Sequence, residues 1–458
     1  MKNIDKKIAC FDFETHGLSK HFSSPSELAI VDQNTTEYEV WNFRCRPGEL
    51  VNAEAMITCK RPWEDYNKGI TQFEAYPDVL KFLESYDHLL AWNADFDRQI
   101  SSTFCYAAGR FPWSFEKRNQ RNIIDALPIF SLFSKLFPDQ AIIPEVNGRL
   151  SHKLEYVYEA NIPNNQKLKF HNALADTYAT KDLINIIVKK EPKFLNVILE
   201  AADKNNQMEC IGDYRDSFIN YNWQSMSFQN FLTIAPRPDY KSFFAINLDI
   251  FGGLTESDKA KILDWDGDPK KLPKWLVEQY PSVRKCCFKR NEIVKSDLIP
   301  KAKNHIKLSE LRQIDKLIFA SPLNQIKEFD PAEYFEEKKF GFPNRREGSG
   351  WSHFFDNKVS WHEKSLIKFH NPLDREVAER IIYEHAPHVL DPNIRYKRDK
   401  EVREKLLNTD PKIPWETVPK VMAQIEHLEQ KDPSLRSLFK TYRSYLNEYL
   451  QENNYAYN

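Results

Sequence analysis

The sequence predicts an α/β layered fold over residues 1–190, a smaller β-rich domain over 191–338 and a helical domain over 339–458. Three observations carry this prediction. A chain of 458 residues exceeds what one hydrophobic core organises. Up to residue 190, short apolar runs of strand type alternate with stretches of helical periodicity. The texture then changes at two punctuated breaks, Lys189-Lys190-Glu191-Pro192 and the Gly-, Pro- and charge-rich stretch 341–350.

Taken in order, residues 7–15 read as a strand, and 28–31 and 38–45 as two more, joined by the turn-prone Asp32-Gln33-Asn34. Leu89-Leu90-Ala91-Trp92 has the length and apolarity of a buried strand. Helical spacing covers 73–85, 98–108, 154–160 and 173–188, and strands mixed with helices of this length give an α/β layer arrangement. Between about 225 and 300 the chain turns β-like at 228–234, 242–249 and 283–294, punctuated by Pro236, Pro238, Gly252-Gly253 and Pro281. Residues 309–319 return to helix, with Ser309 as N-cap and Leu311, Ile314, Leu317 and Ile318 on one face. Beyond 350 the chain reads as helical. Asn371-Pro372 and Asp432-Pro433 have the cap-then-proline form that starts helices, and Leu435, Leu438, Phe439, Tyr442, Leu446 and Tyr449 share one stripe.

With 29% charged and 41% hydrophobic residues, the composition is that of a soluble globular protein. A net charge of −1 excludes a whole-molecule attraction for nucleic acid, so any such contact must come from local patches. Seven cysteines, none in a CxxC pair and two of them adjacent (Cys286 and Cys287), read as reduced thiols. Charges begin at Lys2, Asp5, Lys6 and Lys7, and no apolar stretch approaches the roughly 18–20 residues that span a bilayer. A cytoplasmic protein with no membrane partner is expected.

Four acids and one histidine stand out. Asp12 and Glu14 lie in Cys10-Phe11-Asp12-Phe13-Glu14-Thr15; on a strand, residues two apart emerge on one face, while Phe11 and Phe13 point into the core. Two carboxylates held that close are unfavourable unless a cation neutralises them. Asp97, in Ala94-Asp95-Phe96-Asp97, sits near the start of a helix, where an acid is also favoured by the helix dipole. In His171-Asn172-Ala173-Leu174-Ala175-Asp176, Asn172 can cap a helix, leaving His171 just outside it and Asp176 one turn in. Ala173, Ala175 and Ala179 allow that helix to approach a sheet closely. Each segment alone also fits a solvated strand face, a helix-end acid or a capping cluster.

Together the segments resemble the signature of the DEDDh exonuclease superfamily: DxET on the first strand, an FD pair about 80 residues later and Hx4D about 75 beyond that. Asn172 stands where the sister DEDDy group carries tyrosine. Leu154-Glu155-Tyr156-Val157, residues 173–180 and Ile57-Thr58 are similar to segments of the bacterial exodeoxyribonuclease I family. The resemblance is strong over 1–190, follows in order to about 300, and beyond 340 rests on helical character. It implies an RNase H-like exonuclease domain with a mixed sheet, an SH3-like β-rich domain and a C-terminal helical domain.

It also implies a single-strand-specific 3′→5′ exodeoxyribonuclease of DNA repair and recombination, releasing nucleoside 5′-monophosphates by two-metal hydrolysis. Asp12, Glu14 and Asp176 would hold one metal, Asp97 with Asp12 the second, and His171 would be the general base on the attacking water. All-oxygen ligation suits Mg²⁺, with Mn²⁺ as a substitute. Glu14, Thr15 and Lys153 are the expected substrate contacts. Lys153 stands where the family usually has arginine, keeping the charge but losing the bidentate fork. Single-stranded DNA is the expected partner of a monomer, and the family adds single-stranded-DNA-binding protein. Trp92, Trp113, Phe115 and Arg118 could aid strand binding, with core packing the favoured reading of each aromatic taken alone. So could residues 284–303, with seven basic and two acidic side chains around Phe288. The alternatives are a 3′→5′ exoribonuclease of the same superfamily and a non-catalytic strand-binding scaffold, the latter opposed by the complete acidic set.

Overall fold

The computed structural model describes residues 6–117, 121–163, 168–213, 217–237, 242–255, 257–258, 273–289, 306, 310–312, 314, 316, 331–341 and 350–453. Strands β1 (Ile8–Thr15), β2 (Pro25–Asp32), β3 (Tyr38–Asn42), β4 (His88–Ala91) and β5 (Asn122–Asp125) form one mixed sheet in the order β3-β2-β1-β4-β5. The first three are mutually antiparallel, and β4 and β5 run parallel to β1. Helices α1 (Ala53–Cys59), α2 (Trp63–Tyr66), α3 (Gln72–Leu83), α4 (Asp95–Ala107), α5 (Ser114–Lys117) and α6 (Ala126–Leu136) follow along the chain. A hairpin of β6 (Glu145–Val146) and β7 (Arg149–Leu150) then leads to α7 (Leu154–Asn161) and α8 (Ala173–Lys190).

Alternation along β1 divides the core in two. Ile8 and Cys10 face α6 and α8, packing with Leu183, Ile184 and Ile187. Ala9, Phe11 and Phe13 face α3 and α4. The sequence reading missed β5 and α6. All of α6 except Lys135 is buried, and Ser131, Ser134 and Lys135 form only a narrow polar strip, so its eleven residues read as plain apolar chain.

The break at 189–192 is only a tight turn. Glu191 ends α8, and Pro192 takes the first position of α9 (Pro192–Ala202). Phe194, Leu195, Ile198 and Leu199 of α9 join the core beneath the first sheet, together with Tyr221 and Phe288 from a second sheet. That sheet is antiparallel throughout, in the chain order β8 (Ser217–Asn222), β9 (Ser227–Pro236), β10 (Phe243–Asn247), β11 (Leu276–Gln279) and β12 (Cys287–Lys289). Its spatial order is β11-β10-β9-β8-β12. Strands β8 and β11 were not anticipated. The strand expected over 283–294 is confined to β12 among the described residues, and 290–294 lie outside them. The 309–319 helix falls mostly outside as well, although Ile314 is buried with Phe251 and Trp275.

The chain ends in helices Pro372–His385, Pro392–Leu406, Val418–Lys431 and Arg436–Glu452. Asn371 caps the first through the N–H groups of Leu373 and Asp374. Asp432-Pro433 opens a 3₁₀ turn, Pro433–Leu435, rather than the α-helix itself. In the charged run 395–405, Arg398 is buried and its guanidinium donates to Glu379 (2.6 Å) and Glu401 (2.7 Å). The last helix buries Phe439, Tyr442 and Leu446 against Leu50, Val51, Met56 and Trp63. Tyr442 Oη donates to the Val51 carbonyl (2.8 Å), and its ring stacks on Trp63 at 4.6 Å. This unit therefore grips α1, whose last residue reaches the acidic cluster. Among the described residues no helix is long and apolar enough to cross a membrane.

Candidate active site

The face of β1 that begins with Ile8 and Cys10 continues with Asp12 and Glu14, and α8 lies along all four. Toward its C-terminal end α8 presents Leu183, Ile184 and Ile187 to the core. At its N-terminal end it presents buried Ala173 and then Asp176, so the small residues bring the helix close where the acids stand. One ligand oxygen from each of Asp12, Glu14 and Asp176 lies within 4.8 Å of the others. The Asp176 Oδ1 atom is buried without a hydrogen-bond partner, while its Oδ2 accepts the His171 N–H at 3.1 Å. Three hard oxygens, one of them buried and unpaired, fit a hard divalent cation.

Asp97 approaches from the first turn of α4. It is 3% exposed, and its Oδ1 accepts the backbone N–H of Phe13 at 2.9 Å, which ties α4 to β1 between Asp12 and Glu14. It stands beside the three-residue cluster rather than within it. Glu27, opposite Glu14 in the β1–β2 register, is a fifth carboxylate that the sequence reading did not single out. Asn172 Nδ2 donates to Glu27 (3.1 Å), and Arg61 lies 3.7 Å from it.

The electrostatics are those of a cluster short of positive charge. Burial, then the carboxylates of Asp97, Asp176 and Glu14, push the Asp12 carboxyl well above its ordinary range. Burial pushes Glu14 up to about 7, opposed by the Cys59 thiol, which donates to Glu14 Oε2 at 3.4 Å. Asp97 is pushed up to about 8 by burial against the Phe13 bond, and Asp176 to about 7 by burial and then Glu14. The ionised forms need a cation beside them.

His171 is exposed just outside α8 with φ 67, and Asn172 caps the helix through the Ala175 N–H (3.2 Å). Thr15 is 8% exposed, and its hydroxyl donates to the Gly17 carbonyl (2.6 Å), closing the turn after β1. Lys153 is exposed at the start of α7, 3.9 Å from Glu155 and over the Tyr156 ring. Trp92 and Phe115 are core residues, so neither is available for stacking. Trp113 lies under the Arg98 guanidinium, and Arg118 is outside the described residues. In the basic run, Arg284 and Lys285 are engaged within the protein and Phe288 is buried. Residues 290–303 are not described. The sequence reading also missed Cys59, next to the Ile57-Thr58 it had noted. The only available signal was its position on a segment similar to the family's.

No family model matches the chain. The exodeoxyribonuclease I of Escherichia coli (strain K12) is 24% identical over 224 residues, 46% of this chain and 46% of that protein. The exodeoxyribonuclease I of Buchnera aphidicola subsp. Acyrthosiphon pisum (strain APS) is 22% identical over 210 residues, 44% of this chain and 50% of that protein. The matches thus span about half the length of these curated relatives. In structure the likeness extends over nearly the whole chain. Exonuclease I from Methylocaldum szegediense superposes with a TM-score of 0.75 at 17% identity, covering 97% of this chain and 100% of that one. The chain has the exonuclease I fold. The zinc-bound E. coli ExoI complex with single-stranded DNA superposes at a TM-score of 0.74, with 14% identity over 97% of this chain and 99% of that one. The mixed sheet, the antiparallel second sheet and the helical end all belong to this fold.

Proposed function

We propose that the protein is a single-strand-specific 3′→5′ exodeoxyribonuclease releasing nucleoside 5′-monophosphates, with a role in DNA repair and recombination. The observation that carries this is the convergence of Asp12, Glu14 and Asp176 within 4.8 Å in a chain of exonuclease I fold. The known structure of that fold with single-stranded DNA and zinc supports the substrate and a divalent metal. Asp12, Glu14 and Asp176 would hold one Mg²⁺, and Asp97 with Asp12 a second. Mn²⁺ would be the substitute, and the pair would polarise the scissile phosphate and lower the cost of forming hydroxide.

The remaining roles fall to this chain's own side chains. His171, exposed on the positive-φ residue that precedes the α8 cap, takes the proton from the attacking water. Glu14 and Thr15, at the end of β1, border the 3′-terminal nucleotide, with the Thr15 hydroxyl holding the turn rather than the strand. Lys153, free of any cap bond at the start of α7, meets a phosphate as a point charge. The enzyme acts as a cytoplasmic monomer, with single-stranded-DNA-binding protein as its protein partner.

The test is an assay of purified protein with Mg²⁺ on 3′-labelled single-stranded DNA, duplex DNA and RNA in parallel. Stepwise loss of mononucleotides from the single strand alone is expected, abolished by Asp176→Ala. Equal digestion of RNA would overturn the deoxyribo assignment, and an inert wild type would overturn catalysis.

A further inference from the structure

Arg284, read from the sequence as a strand-binding cation, is turned inward to the first domain. The Val283 carbonyl accepts the N–H of Asp125 (3.1 Å), which stitches this segment to the end of β5. From there the Arg284 guanidinium donates through Nη2 to Asn93 Oδ1, and its Nε lies 3.8 Å from Asp125 Oδ2. The Asp125 side chain is fully buried, and Oδ2 has no hydrogen-bond partner. Its Oδ1 accepts the N–H groups of Asn93 (2.9 Å) and Leu127 (3.0 Å). Asn93 sits at φ 63, in the left-handed region that asparagine tolerates but that still needs fixing.

Asn93 is two residues before α4. The cap position, Ala94, makes no side-chain cap bond. The start of the helix that delivers Asp97 is therefore fastened by the Asn93 bonds, by the bond from Phe13 to Asp97 and by the part-exposed Lys20–Asp95 pair (3.0 Å).

We propose that Arg284 is a positioning residue for the metal site: through Asp125 and Asn93 it fixes the start of α4 and so holds Asp97 beside the acidic cluster. The second sheet then supports the chemistry of the first, besides any part in holding the strand. This rests on the reading of the acids as a metal site. Outer-shell partners of metal ligands are typically worth about 10–100-fold in metal affinity or activity. The Arg284 side chain is 37% exposed but Asp125 is fully buried, so removing the guanidinium takes the cation from beside a buried carboxyl.

The test uses the full chain with Arg284→Ala, Arg284→Lys, Asp125→Asn and the double variant R284A/D125N. Two quantities are read: the Mn²⁺-induced rise in Tm without DNA, and the Mg²⁺ requirement and KM for single-stranded DNA. R284A and D125N are each expected to raise the metal concentration needed in both measurements by about 10–100-fold. KM at saturating metal should stay within about twofold, and the double variant should be no worse than the singles. R284K, which keeps the charge but not the fork, should fall between.

A raised KM with an unchanged metal requirement would overturn the proposal and return Arg284 to strand binding. If R284A does not fold, D125N decides alone, and an unchanged Mn²⁺ shift overturns the proposal. A wild type that shifts its Tm with Mn²⁺ but cuts no DNA refutes the nuclease reading. The Tm shifts of the variants then still judge Arg284.

Discussion

Replacing Asp176 by asparagine should stabilise the metal-free protein at neutral pH while destroying its response to metal. The Asp176 carboxyl is pushed up to about 7 by burial and then by Glu14, and its Oδ1 has no hydrogen-bond partner. Asparagine keeps the shape and the acceptor for the His171 N–H, and removes the charge. Because the folded value is raised above the unfolded one, the stabilising contribution of the neutral carboxyl is complete below about pH 4. It is lost as pH rises to about 7. At about 1.4 kcal/mol per unit the ceiling is about 4 kcal/mol, and partial solvent access reduces it to about 1–2 kcal/mol. At about 2.1 cal/mol/K of unfolding entropy per residue over 458 residues, that corresponds to a Tm difference of about 1–2 °C. The assay is thermal unfolding of wild type and D176N in EDTA from pH 4.5 to 8, repeated with excess Mn²⁺. The two proteins should match at the acid end and diverge in favour of D176N by pH 7, and Mn²⁺ should reverse the order. A D176N variant less stable than wild type across the whole metal-free series would refute the reasoning, since it would mean the fold itself supports the charge.

His171→Ala should lower turnover by about 10²–10⁴-fold, the usual worth of a general base, yet keep the Mn²⁺-induced rise in Tm and strand binding. Unchanged turnover would place the base elsewhere. Arg398→Ala removes a 3%-exposed guanidinium from Glu379 and from Glu401, the latter still 3.3 Å from Arg380, and should cost about 1–3 kcal/mol, read as a lowered urea midpoint at unchanged m. Tyr442→Phe removes the bond to the Val51 carbonyl and should cost about 0.5–1.5 kcal/mol by the same measurement.

Most of the acidic site was legible because it is written in local periods. Two residues apart on a strand fixes a shared face for Asp12 and Glu14, and an Asn cap fixes His171 just before α8 and Asp176 one turn into it. What stayed hidden depends on contacts distant in sequence. Glu27 joins the cluster only through the β1–β2 register, Cys59 only because α1 packs beside β1, and Asp125 only through β5, which reads as ordinary apolar chain. The burial of Phe115 was equally invisible, since an aromatic in the core and one in a binding groove look alike in a sequence, whereas Trp92 closes an apolar run that already reads as a buried strand. Arg284 is the sharpest case: a basic run suggests a surface, and the fold turns its first member inward.

By itself, then, the sequence determined the layered α/β class, the helical C-terminal end, and the pairing of carboxylates on one strand face with an acid one turn into a capped helix. Those follow from the 2.0 and 3.6 residue periods and from capping chemistry, which act over a few residues. Only the tertiary structure decided that α8 docks its small-residue end on that face and that Asp97 is tied to Phe13. It also decided that the last helix grips α1 and that the second sheet reaches β5 through Arg284. Each of these depends on which surfaces bury one another, and that choice is made by the whole chain at once.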